Sequence, residues 1–498
     1  MRAPSVLPCL LSAALLAASA PPPSVPNGAF EMLRPDGSPE AWRANGGYRL
    51  AAEPEGPHGG RLAVRLFRTE PATARPGDFG SFSQSIDATP WRGRAIRLVG
   101  WARTDEAAAG KAALWLRVDR PGGVRGFFDN MADRPIEARA WTRYEIRGWV
   151  AEDADRIVLG GLLLGGVGRL WIDDLTLEQP RGPSADLTGK SLSPAARAYL
   201  DAALDILQTR HINRLKADWP GLRARAYVIA TGAQTPAETY PAIAEVVSAL
   251  GERHSSFRRP PPPVRLPAEP GAPPAPRSEP PLPRSEQVAG KYGLVWLPAL
   301  TTRTDADVPR ARAYTDTLDR ALHALDRQGV CGWIVDLRDN GGGNMWPMVN
   351  GLSGILGEGP FGAFRDVDGV LSAWTRTPEG LISVSGMRGM AAQGGPLQKG
   401  RAPVAVLIGP RTASSGEMTA IAFVGRPGAR LFGAPSAGLT TGNKTYPLSD
   451  GAVLVVTGVF VEDRNGGRYD GPIVPDEAVP DGDAVAAAVR WLDRQGCA

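Results

Sequence analysis

Histidine and cysteine are scarce here, four and three residues in a chain of 498. With so few nitrogen and sulfur donors a His/Cys zinc site has too little to draw on, and neither a metal nor an organic cofactor is implied. Strong charge of one sign is also missing: 56 basic and 52 acidic residues leave a net charge of +4. The arginines are scattered, so no electrostatic footprint for nucleic acid stands out. The apolar run that opens the chain, Val6 to Leu16, follows Arg2 and precedes Ala18-Ser19-Ala20 and Pro21. That is the order of a secretory signal peptide over residues 1–20, too short to remain as a membrane span. Cleavage after Ala20 and export to the periplasm or medium are expected. A lipid anchor on Cys9 is the weaker reading, because Cys9 follows Pro8 inside the apolar core and lacks small neighbours. Without the signal only Cys331 and Cys497 remain. Export would permit a disulfide between them, and two unpaired small hydrophobes are the alternative.

The length suggests about two to four domains. From residue 24 to 180, short alternating runs such as Ala95 to Trp101, Ala113 to Val118 and Leu170 to Leu175 are broken by Gly, Pro and Asp, which argues for an all-β sandwich. Seven of the thirteen tryptophans fall there. They could stack on sugars, but in a sandwich they more often fill the core. Residues 181–192 read as a linker and 193–258 as a helical subdomain. In it Tyr199, Leu200, Ala203, Leu204, Leu207, Ile212 and Leu215 share one face. A second helix opens with a Thr235-Pro236-Ala237-Glu238 capping box and ends near Gly251. Residues 259–287, Pro-rich from Arg259 to Pro283, read as an extended loop with no room for an inserted peptide-binding domain. Beyond it, to residue 498, strands and helices alternate: strand Gly293 to Leu300, helix Val308 to Arg327, strands Gly332 to Leu337, Pro403 to Gly409, Ala429 to Ala434 and Val453 to Val461, and helix Ala484 to Arg494. This implies an α/β core.

Three stretches carry chemistry. Arg411-Thr412-Ala413-Ser414-Ser415-Gly416-Glu417 lies between an apolar strand and a helix, so it places a hydroxyl at a helix N-terminus, where free N–H groups can stabilise negative charge. Capping by Thr412, Ser414 or Ser415 is the plainer use of such residues. In Asp336-Leu337-Arg338-Asp339-Asn340-Gly341-Gly342-Gly343 a buried strand runs into a glycine turn that can bare its N–H groups. The third stretch runs from Gly433 to Gly438, through the hairpin-like Leu448 to Ala452, to Pro475-Asp476.

In combination and order these stretches resemble the C-terminal processing (tail-specific) serine peptidases, in the branch of the tricorn core protease and the interphotoreceptor retinoid-binding protein, over residues from about 193 to 497. The 24–180 module more loosely resembles galactose-binding-like jelly rolls, through its Asn27-Gly28-Ala29-Phe30-Glu31 opening and closing Asp173-Asp174. The resemblance implies a multidomain protein: an N-terminal all-β sandwich, a helical subdomain and an α/β (crotonase-like ββα) peptidase core. It implies Ser414 as nucleophile, with oxyanion donors at the Ser415 N–H and at Gly341 or Gly342. Processing peptidases use a lysine where this chain has Leu439, which cannot accept a proton, so a Ser–Lys dyad would need Lys444. The tricorn-like branch uses a histidine from the helical subdomain, and His254 stands in the matching stretch. An imidazole with pKa near 6.5 suits a general base near neutral pH; capping the helix end is its plainer role. Asp470 is expected to orient His254, with Asp463 and Ser255 behind it, and Asp336 to be structural. The expected activity is serine-type hydrolysis of a peptide or protein through an acyl-enzyme. A non-catalytic binder of hydrophobic ligands on the same fold, or of carbohydrate through the β module, is the alternative.

Overall fold

The computed structural model describes residues 25–496 except 46, 69–78, 109–110, 133, 165–167, 180–187, 261–280, 303–304, 377–381, 385–386 and 389–395. The expected signal peptide, most of the Pro-rich stretch, and Cys9 and Cys497 therefore lie outside the described residues. Cys331 is disulfide-bonded. No helix among the described residues is long and apolar enough to cross a membrane.

The chain divides into two units, residues 1–191 with 227–231, and residues 192–226 with 232–498. The first is a sandwich of two five-stranded antiparallel sheets. One has the order Arg43–Asn45, Phe79–Asp87, Arg156–Leu164, Ala112–Arg120, Val124–Asp129; the other Tyr48–Glu53, Ala63–Arg68, Arg169–Glu178, Arg94–Thr104, Thr142–Val150. Alternate residues such as Ile96, Leu98, Leu114, Leu116, Leu170 and Ile172 point inward and are fully buried, the period-two signature of paired sheets. The tryptophans depart from expectation. Trp42 and Trp91 fill the core, while Trp101, Trp115, Trp141, Trp149 and Trp171 are only half-buried.

The second unit begins with helix Pro194–Arg210, whose first turn is closed by Ser193 Oγ accepting from the Ala196 N–H and by Pro194, which has no N–H to satisfy. Tyr199, Leu200, Ala203, Leu204 and Leu207 are buried along one side, as the spacing predicts. Leu215 is not part of that face: the helix stops at Arg210, and Leu215 is 73% exposed. Helix Trp219–Ile229 escapes the periodicity argument, since Arg223 and Arg225 interrupt its apolar residues. The Thr235 start is a short 3-10 turn, Pro236–Thr239, leading into helix Tyr240–Ala249.

Behind these helices lie two sheets. In the first, Tyr292–Trp296, Gly332–Asp336, Val404–Ile408, Ala429–Gly433 and Glu477–Ala478 run parallel, and Arg284–Val288 adds an antiparallel edge. That edge strand begins inside the segment read from sequence as loop. The sheet is buried on both faces, which explains its near-continuous apolar strands. Val295, Val335, Val404 and Val406 face helix Val308–Arg327 and the helix after Ser414, whereas Ile334, Ala405, Leu407 and Phe432 pack on helix Ala484–Arg494. The second sheet is antiparallel and centres on Val453–Glu462. That strand pairs with Ser256–Arg258 and Gly359–Asp366, and also with Thr441–Pro447 and Arg468–Tyr469.

The two leucines differ measurably. Leu207→Ala should cost about 2–5 kcal/mol, a buried large-to-small change, and Leu215→Ser less than about 0.5 kcal/mol. Shifts in urea midpoint would show this, and equal shifts would contradict the placement of Leu215.

Candidate active site

The serine turn and the glycine turn each stand where a parallel strand ends. Strand Val404–Ile408 delivers the turn that enters helix Ser415–Ile421, and strand Gly332–Asp336 delivers the glycine turn beside it. Both leave from the C-terminal edge of the parallel sheet, where open α/β sheets gather functional loops. The turns are stitched together across the gap. Thr412 Oγ1 donates to the Leu337 carbonyl at 2.8 Å, the Ala413 N–H to Asn340 O at 2.9 Å, and Ser415 Oγ to Gly343 O at 2.8 Å. A β-carbon on Gly342, whose φ is +101°, would come within 2.8 Å of Ser414 Cβ. Only glycine lets the turns approach this closely.

Ser414 has φ +52° and ψ −120°, a conformation that L-residues rarely adopt. Its Oγ lies 3.0 Å from His254 Nε2. The antiparallel sheet supplies the histidine: Ser256–Arg258, two residues on, is locked against Val453–Val455. Glu252 accepts the N–H groups of His254 and Ser255 at 2.6 and 2.7 Å and so fixes the turn ahead of that strand. His254 Nδ1 is 3.2 Å from Thr441 Oγ1. If Nε2 is to accept the serine proton, Nδ1 carries the hydrogen and donates it to Thr441. Burial pushes the imidazole pKa below its ordinary value, against the opposing pull of the Glu252 charge and of a hydrogen bond to the Thr441 backbone. The other three histidines are engaged elsewhere. His58 bonds to Asp174 and stacks on Trp101, His211 is buried with Nδ1 accepting from the Asn213 N–H, and His323 lies 3.7 Å from Asp319.

The remaining expected residues divide. The Ser415 and Gly341 N–H groups make no hydrogen bond among the described residues, whereas the Gly342 N–H donates to Asn340 Oδ1 at 3.0 Å and is not a free donor. Asp470, expected to orient His254, is exposed and meets no partner among the described residues; the side chain at hydrogen-bond distance from His254 Nδ1 is Thr441. The two are neighbours through the turn: Thr440 Oγ1 donates to the Gly471 carbonyl at 2.9 Å. Asp463 is used locally, accepting from the N–H groups of Asn465 and Gly467 and from the Tyr469 hydroxyl. Ser255 Oγ accepts from the Thr457 N–H. Lys444 is exposed and lies against the Tyr446 ring. Asp336 holds Arg338, as a structural residue would.

Glu417 is the residue whose importance sequence reasoning passed over. It is fully buried, and its carboxylate accepts from the Ser414 N–H at 2.7 Å, the Ser436 hydroxyl at 2.5 Å, and the N–H groups of Gly438 and Leu439 at 2.7 and 2.9 Å. Burial raises its pKa while these four donors pull it down, and burial prevails. The spacing Ser414-x-x-Glu417 is a capping-box signature and could have pointed to it.

With this geometry in view, the profile of peptidase family S41 matches residues 291–479. This segment is a peptidase family S41 domain. Ser414, Glu417, Thr441 and the glycine turn lie inside the S41 domain, and His254 lies before it. The chain is 29% identical over 303 residues to the nisin-resistance protein of Lactococcus lactis subsp. lactis, covering 61% of this chain and 88% of that protein. Among solved structures, a lipoprotein from Streptococcus agalactiae is 24% identical, with TM-score 0.49 over 61% of this chain and 98% of the other. The CBM22-1 xylan-binding domain of Xyn10C from Paenibacillus barcinonensis is 16% identical, with TM-score 0.25 over 34% of this chain and all of that domain.

Glu417→Gln would turn an amide N–H toward groups that are all donors. The expected result is a stability loss of about 1–3 kcal/mol and fluorophosphonate labelling of Ser414 slowed at least roughly a hundred-fold, the scale of losing an aligned nucleophile. Labelling at the wild-type rate would remove Glu417 from the support of the site.

Proposed function

We propose that the chain is an exported serine peptidase in which Ser414 attacks a peptide carbonyl and His254 is the general base. The observation that carries this reading is the 3.0 Å approach of His254 Nε2 to Ser414 Oγ, between groups 160 positions apart. The imidazole takes the hydroxyl proton as the Oγ–carbon bond forms, and the carbonyl oxygen becomes an oxyanion. The N–H groups of Ser415 and Gly341 are the donors assigned to that oxygen, the first of them at the start of helix Ser415–Ile421. His254 then protonates the leaving amine, and water activated by the same imidazole releases the acyl group. Thr441 keeps the ring in one tautomer. A hydroxyl is a neutral orienter, so the imidazolium formed in the transition state gains less from it than from a carboxylate. The S41 domain supports a peptide or protein substrate, and the signal-like first twenty residues support export.

A second role for the β module has its own observation. On a partly exposed part of that module Trp101 stacks on His58 at 3.9 Å, and the Arg103 guanidinium lies over both Trp141 and Trp171 at 5.0 and 4.9 Å. Flat rings beside hydrogen-bonding groups suit a polysaccharide chain. We assign carbohydrate contact to this face. Pull-down of the full protein on insoluble polysaccharides should weaken at least about ten-fold in Trp171→Ala, the scale of one lost stacking partner. Equal retention of both proteins, or of neither, counts against the assignment.

For the peptidase, Ser414→Ala and His254→Ala should each lower kcat/KM on a cleaved peptide by about 10³-fold or more. Fluorophosphonate should label wild type and not Ser414→Ala. The neutral imidazole is the working form, and its pKa in the folded protein is lowered. Activity should therefore persist below pH ~6.5, the ordinary histidine value, and fall only as pH drops through the lower one. An acid limb centred above that value, or near wild-type turnover by His254→Ala, would move the base elsewhere.

A further inference from the structure

At the far end of helix Ser415–Ile421 from Ser414 is a cavity of about 560 Å³ whose wall, among the described residues, carries four arginines, Arg376, Arg401, Arg426 and Arg464, and a single acid, Glu358. Glu358 is spoken for at the rim, 3.6 Å from the exposed Arg401. The other three guanidinium groups have no carboxylate within ion-pair distance among the described residues, and each has a buried Nε with no hydrogen-bond partner. Arg426 is only 5% exposed. Its terminal nitrogens donate to the carbonyls of Pro427, Gly400 and Ala402, and those of Arg464 donate to the carbonyls of Leu356 and Ala422. These bonds fix the two groups in place but bring no negative charge. Asp463, the acid beside Arg464, is already committed to Asn465, Gly467 and Tyr469. Burial and the neighbouring Arg464 charge push the Arg426 pKa down to about 10, and burial lowers Arg376 and Arg464 as well, outweighing the pull of the Glu358 charge on the first and of Asp463 on the second.

Burying like charges together without a counterion is among the more costly arrangements a protein can hold. A structural salt network would have placed acids here; among the described residues the remaining wall is instead apolar or neutral, with Pro396, Leu397 and Pro427. We propose that this cavity is a binding site for the phosphate group of a small phosphomonoester, with Arg376, Arg426 and Arg464 meeting the dianion and the Pro396–Leu397 side receiving the organic part. Guanidinium forks match phosphoryl oxygens in geometry as well as charge, and three cations exceed what a single carboxylate would neutralise. A volume of about 560 Å³ lies within the range of small-molecule pockets and leaves room beyond the phosphate itself. The site does not depend on the peptidase reading.

The test is calorimetric titration of the full chain in phosphate-free buffer at constant ionic strength, with ribose 5-phosphate, inorganic phosphate and ribose as probes. Saturable binding of ribose 5-phosphate, weaker or equal binding of inorganic phosphate, and none of ribose are expected. Stronger binding of inorganic phosphate than of the ester would assign the site to the free ion and overturn the ester. The Arg376 side chain makes no hydrogen bond among the described residues, so Arg376→Gln should fold, with a ligand-free Tm equal to or above that of wild type. It should bind the ester at least about ten-fold more weakly, the scale of one lost charged contact. Arg376→Lys, which keeps the charge but loses the fork, should fall between. No saturable heat from either phosphate probe, or equal affinities in wild type and Arg376→Gln, would overturn the site.

Discussion

The carboxylate of Glu417 lies under the turn that presents Ser414, and four hydrogen bonds converge on it from three places in the chain. Every partner is a donor, so the arrangement suits an ionised, acceptor-only group. Its charge stands at the start of helix Ser415–Ile421, where the unpaired N–H groups of a first turn favour a negative neighbour. Without it the Ser414 N–H would be left unmatched in a buried site, and the residue would have less reason to hold a backbone conformation that costs about 1–3 kcal/mol. The same carboxylate gathers Ser436, Gly438 and Leu439, so the stretch leading to Thr441 is set by the group that sets the serine. The Ser414 turn and the stretch that reaches His254 thus share one anchor.

That shared anchor matters because the two halves of the site come from different sheets. The parallel sheet offers Ser414 and the glycine turn at its C-terminal edge; the antiparallel sheet offers His254 and Thr441 through strands that both pair with Val453–Glu462. Where they meet the imidazole is enclosed, and enclosure keeps it neutral to lower pH than it would be in water. A neutral neighbour such as Thr441 is compatible with this, since an imidazole that already favours its neutral form has no need of added charge beside it.

Much of the second unit could be read from residue patterns, and the reasons are specific. Helices Val308–Arg327 and Ala484–Arg494 and the parallel strands announce themselves because each has one period and one kind of burial. Ser414 and the glycine turn stood out as small residues between strand and helix, but capping and plain turns use the same residues, and only the family resemblance singled them out. His254 became legible only through the family resemblance, as nothing in its local spacing separates a base from a cap. Thr441 gave no signal, since a threonine at the start of a strand is ordinary β-branched chemistry. Asp470 was a reasonable choice from order alone and failed by the geometry of one turn, in which Thr440 ties Gly471 while the aspartate faces solvent. The tryptophans of the β module misled for another reason: alternation says that a residue lies on one of two faces but not which face is covered.

The close approach of Gly342 to Ser414 has a consequence for the life of the chain before it is finished. The strands that carry the two turns are some seventy positions apart, and the turns meet only where those strands pair. A nascent or partly threaded polypeptide therefore holds both turns without the contact between them. The juncture exists only once the sheet has closed, so whatever chemistry it supports belongs to the finished fold and not to the growing chain.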